Sequence, residues 1–117
     1  MNTAPATESA TAAAAYQIAI FAGRDYNTLS LREYQINLFG QTIATASGFK
    51  TKAAAGRAAD KLACKIILAM FAETAEAREI VQRAAELNNL WNAKKFKAWK
   101  VREAQLRALV AATFCAA

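Results

Sequence analysis

The sequence has no histidine, one proline and four glycines, and its two cysteines, Cys64 and Cys115, are widely separated. Without histidine the chain has no Ser–His or Cys–His nucleophile pair, lacks the commonest general base, and cannot build most catalytic zinc sites. The cysteines have no CxxC spacing and fall on expected apolar helix faces, which predicts buried thiols rather than a disulfide or a reactive site. The longest clear apolar run, Ile66 to Ala72, has seven residues, against the roughly twenty that a membrane-spanning helix needs. The first fifteen residues carry no basic side chain, unlike a secretory signal. Together these features predict a soluble, cytoplasmic protein that does not enter a membrane.

Catalytic constellations are equally sparse. Asp25, Glu33 and Asp60 are the acids near the expected sheet, and nothing in their spacing brings them together. Gly23 and Gly40 do not form a phosphate-cradling loop. The expectation is a non-enzymatic protein with no metal and no cofactor.

What the chain does contain is alanine, lysine, arginine and glutamate, concentrated after residue 50. With 117 residues it is expected to form one domain, able to bury about two-thirds of its unfolded surface. Residues 1–50 hold three basic and three acidic side chains, whereas residues 51–117 hold twelve basic and six acidic ones, so the whole formal charge of +6 lies in the second part. Residues 91–117 carry six basic side chains against Glu103 alone. Charge concentrated in this way is the sequence form of an electrostatic binding face.

Taken in order, residues 1–15 are small and polar and read as a disordered tail, although its last alanines are also able to extend a short helix into the domain that follows. Residues 16–117 form that domain. Tyr16, Ile18 and Ile20 alternate with Gln17, Ala19 and Phe21, as do Tyr34, Ile36 and Leu38 with Glu33, Gln35 and Asn37; this period of two predicts strands. Gly23, Asp25 and Asn27 supply turn chemistry after the first strand. Gly40 and Gln41 connect to a third strand at residues 42–46. The expected class is α+β: a three-stranded antiparallel sheet over residues 16–47 and about three helices over residues 51–117.

Thr51 is placed to cap a helix beginning at Lys52, and Glu73 and Thr74 offer a second start. Asn88 and Asn89 are the expected break before a last helix running from about Leu90 to Phe114, since asparagine tolerates the left-handed conformation that ends helices. On that helix Trp91, Phe96, Trp99, Leu106, Leu109, Val110 and Phe114 share one arc. Lys94, Lys97, Lys100 and Arg107 lie opposite, and Lys95 and Arg102 fall inside the apolar arc and must reach its edge.

The run Tyr34, Ile36, Leu38, Gly40, then Ser47 to Ala54, Ala58 and Ala59 resembles the strand–strand–helix half of double-stranded RNA-binding domains. In that family a Ser-Lys-Lys-x-Ala-Lys-x-x-Ala-Ala motif opens the final helix and its lysines straddle phosphates. Lys52, Ala54, Ala58 and Ala59 match; Lys50 stands at the serine position, Thr51 replaces the first lysine and Ala55 the last. The Gly-Phe-Lys-Thr-Lys run at 48–52 also resembles the arm-binding modules of phage integrases. Both resemblances cover residues 34–63 and imply a strand–strand–strand–helix topology with a nucleic-acid partner.

The leading expectation is therefore a basic binding module acting on nucleic acid or a nucleic-acid-containing complex, with Lys94, Lys95, Lys97, Lys100, Arg102 and Arg107 as its surface and Lys50 and Lys52 assisting. A second reading is a phage or mobile-element inhibitor of the anti-CRISPR type, which blocks a host defence complex by protein–protein contact. A third is a homodimer joined through the apolar stripe from 91 to 114.

Overall fold

The computed structural model describes residues 9–23 and 32–115. The first eight residues of the expected tail, and Asp25 and Asn27 of the expected turn, lie outside the described residues. Helix α1 (Ala10–Ala14) begins at Ser9, whose hydroxyl accepts from Ala12 N–H at 3.1 Å. Thr11, Ala12, Ala14 and Ala15 are buried, so these alanines belong to the folded domain rather than to a tail. A 3₁₀ turn over Ala15–Gln17 leads into β1 (Ile18–Ala22), so Tyr16 and Gln17, expected in the strand, precede it.

The sheet continues with β2 (Tyr34–Leu38) and β3 (Gln41–Ala46), antiparallel in the order β1-β2-β3. Leu38 pairs with Gln41 across a two-residue loop, Phe39 and Gly40. Both loop residues have positive φ, 54° and 76°, as a tight turn matching the twist of a hairpin requires. The β2–β3 register shifts between Ile36 and Asn37, which leaves Ile43 as an extra residue on β3. This bulge lets Ile43 and its neighbour Ala44 both be buried, a departure from strict alternation.

Three long helices follow: α2 (Lys52–Phe71), α3 (Ala75–Asn92) and α4 (Phe96–Phe114). Threonines cap the first two, Thr51 accepting from Ala54 N–H at 3.0 Å and Thr74 from Ala77 N–H at 3.1 Å. Helix α2 packs on β1 and β2, α4 crosses β3, and α3 lies along α4. Ile36, Leu38 and Ile43 from the sheet meet Ile66, Met70, Ile80, Leu87, Leu106 and Val110 from the helices in one fully buried core. The α+β class and the three-strand, three-helix order hold, with α1 added. Among the described residues no helix is long and apolar enough to cross a membrane.

The helix break differs from the expectation. Helix α3 runs through Asn88 and Asn89 and ends at Asn92, and the left-handed residue is Lys94 (φ 59°). Lys94 N–H donates to Trp91 C=O at 3.0 Å and Lys95 N–H to Leu90 C=O at 2.9 Å, the paired bonds of a Schellman ending. The α2–α3 junction repeats it, with Glu73 at φ 55° and Thr74 N–H donating to Ala69 C=O at 3.1 Å. Contacts outweigh local preference here. Asn88 is engaged with Gln41 at 3.5 Å, while Trp91 packs across the turn on Phe96 and Trp99, each at 5.0 Å between ring centroids.

Candidate nucleic-acid interface

Trp91 closes α3, and Phe96 and Trp99 open α4, so the expected continuous basic aromatic helix is the tip of a helical hairpin. Trp99 is half-buried and its indole N–H donates to Gln41 Oε1 at 2.8 Å, anchoring the tip to the β2–β3 turn. Trp91 and Phe96 are 47% and 49% exposed. Val101, one turn further along α4, is 55% exposed. Lys94, Lys95, Lys97 and Arg102 surround an open groove of about 650 Å³ whose apolar lining is Phe96, Ala98 and Val101. Lys100 is exposed on the same stretch of α4.

The lysines of the tip make no ion pair among the described residues. They also sit at the wrong end of a helix. Lys95 occupies the N-cap of α4 without a side-chain cap, and the first turn holds no acid. Positive side chains beside a helix N-terminus oppose its dipole, at about 0.3–1 kcal/mol each. The tip thus combines four lysines, the positive end of a helix dipole and exposed rings.

The remaining expected surface residues are placed elsewhere. Arg102 lines the groove but is paired with Glu86 of α3, a contact between partly exposed side chains. Arg107 has a partly exposed side chain but is less open than the tip lysines: it pairs with Glu103 at 3.1 Å, and its Nε is buried without a hydrogen-bond partner. It lines a cavity of about 90 Å³ with Tyr34, Leu62, Val110 and Cys115. Its stem is drawn toward that cavity because Arg107 sits one turn from the buried Val110, at the edge of the α4 face that the core covers, whereas Lys97 and Lys100 are exposed.

Lys50 and Lys52 are not joined to the tip. Gly23 N–H bonds Glu33 C=O at 2.8 Å, and the Lys52 stem lies so close to Gly23 that a Cβ there would meet its Cγ at 2.6 Å. Phe49 N–H reaches Arg32 C=O at 3.4 Å. These contacts place the start of α2 at the Tyr34–Ala46 end of the sheet, whereas the tip is tied to Gln41 at the other end. The six residues of β3 separate the two groups by about 17 Å.

Two features escaped the sequence reading. Arg57, Lys61 and Lys65 form an exposed i, i+4 row on α2, which that spacing alone would have shown. Cys64 and Cys115 are exposed rather than buried. Cys64 lies on the same outward face as that row, and Cys115 follows the last turn of α4. Tyr34, buried beneath that last turn, has its phenol pKa raised above the ordinary value, first by burial and then by the neighbouring Cys115 thiol.

No known protein family, curated protein or solved structure matches this chain.

Proposed function

We propose that the protein is a non-enzymatic binding module that engages nucleic acid, alone or within a nucleic-acid-containing complex, through the α3–α4 hairpin tip. The observation that carries this reading is the gathering of Lys94, Lys95, Lys97 and Lys100, exposed and unpaired among the described residues, at the hairpin tip that also bears the exposed Trp91 and Phe96. Lysines that release counterions from phosphates supply affinity, and exposed rings supply contact with bases. The positive charge at the start of α4 costs stability in the unbound protein, and a polyanion relieves it.

The test is binding of labelled oligonucleotides over a salt series. Four phosphate contacts give a log–log slope of about −3 to −4. The Lys94/Lys97/Lys100 triple alanine variant is expected to flatten that slope and lose at least about tenfold in affinity at low salt. Binding that ignores salt would overturn the proposal.

The inhibitor reading uses the same tip. The apolar lining of Phe96, Ala98 and Val101 beside Lys94, Lys95 and Lys97 suits an acidic protein surface as well as a polynucleotide. It becomes the leading reading if no oligonucleotide binds at low salt.

A further inference from the structure

We infer that the hairpin tip selects single-stranded over duplex nucleic acid, an inference that rests on the nucleic-acid reading above. Two packed helices lie about 8–10 Å apart and each is about 10–12 Å across, so the end of the hairpin is about 20 Å broad. The major groove of B-form DNA is about 12 Å wide and the minor groove about 6 Å, and the major groove of duplex RNA is narrower than side chains can read. Presented broadside, the tip meets the phosphates on either side of a groove, and however it docks, the faces of paired bases are stacked on one another and closed to its rings.

A single strand presents what a duplex hides. Its unstacked bases have open faces, and aromatic stacking on them is tolerant of sequence. Trp91 suits that role: it is about half exposed at 47%, and it is held by edge contacts to Phe96 and Trp99 at 5.0 Å. A ring held in place before binding loses little conformational freedom when a base meets it. Lys94 and Lys97 flank the rings within a turn, where successive phosphates of an extended strand would pass. Charge complementarity and open ring area thus occur together at one end of the molecule.

The experiment compares the full chain with labelled mixed-pyrimidine DNA and RNA strands of about sixteen nucleotides, and with the same DNA annealed to its complement, at one salt concentration. Wild-type protein is expected to bind the single strands at least about fivefold more tightly than the duplex. Trp91→Leu is expected to weaken single-strand binding more than duplex binding and so to narrow that advantage. The strand comparison needs no variant, so it stands even if Trp91→Leu misfolds. Equal or tighter duplex binding would overturn this inference and leave the nucleic-acid reading in place. Absence of binding to every oligonucleotide at low salt would overturn both and point to an acidic protein.

Discussion

The Trp99 indole donates a 2.8 Å hydrogen bond to Gln41 Oε1, joining residues fifty-eight positions apart. Gln41 is one of two buried polar residues among those described, and its amide nitrogen reaches Asn88 Oδ1 at 3.5 Å. One glutamine thus fixes both helices of the hairpin to the turn of the sheet. Gln41→Ala leaves the indole and Asn88 without this partner. It is expected to cost about 1–2 kcal/mol and to lower Tm by several degrees in a thermal melt. The tip lysines, Trp91 and Phe96 keep their own contacts, so oligonucleotide affinity should fall far less than in the lysine variants.

Stability and binding are expected to move in opposite directions at Lys97. This residue lies in the first turn of α4, where an acid suits the helix dipole and a lysine does not. Lys97→Glu is expected to stabilise the fold by about 0.5–1 kcal/mol while weakening oligonucleotide binding. Loss of both stability and binding would show that Lys97 serves the fold.

The two left-handed junction residues form a matched pair. Glu73 and Lys94 hold φ values of 55° and 59°, which glycine adopts without strain. Relief of strain opposes the added freedom of glycine in the unfolded chain, so each substitution is expected to stabilise by at most about 1 kcal/mol. Glu73→Gly should leave oligonucleotide affinity near wild type, because the α2–α3 junction is no part of the tip. Lys94→Gly should weaken it, and urea melts beside binding titrations separate the two effects.

Alkaline pH is expected to destabilise the protein through Tyr34. Its phenol is neutral and buried, with a pKa raised above the ordinary 10.0 by burial and by Cys115. A group that holds its proton more tightly when folded stabilises fully below its unfolded pKa, and this contribution declines as pH rises past about 10. Tyr34→Phe should shallow that decline in Tm measured between about pH 9 and 11.

Much of the fold was legible in local chemistry. The alternations at Ile18–Ile20 and Tyr34–Leu38 mark strands because one sheet face is buried, and Thr51 and Thr74 mark helix starts because a hydroxyl is the nearest cap. The α3–α4 break was not legible, since Asn88 and Asn89 carry the better local signal and the deciding contacts, Trp91 with Phe96 and Trp99, are tertiary. Displacement of the break moved Trp91 onto another helix and brought Lys94 and Lys95 into the turn. The composition of the candidate site was therefore readable as a basic aromatic segment, but its shape was not. The cysteines were misplaced for a related reason: a wheel assigns faces without knowing which neighbours cover them. Ile43, buried through a bulge, also has no local signature.

The most direct measurement compares two triple variants, one at each end of the sheet, in oligonucleotide binding at low salt. Lys94/Lys97/Lys100 to alanine removes the tip, and Lys50/Lys52/Arg107 to alanine removes the same formal charge from the opposite end. The tip variant is expected to lose at least about tenfold in affinity while the other stays within about threefold of wild type. Equal losses would mean that only net charge matters, and a loss confined to the opposite end would contradict the assignment of the hairpin tip as the binding surface.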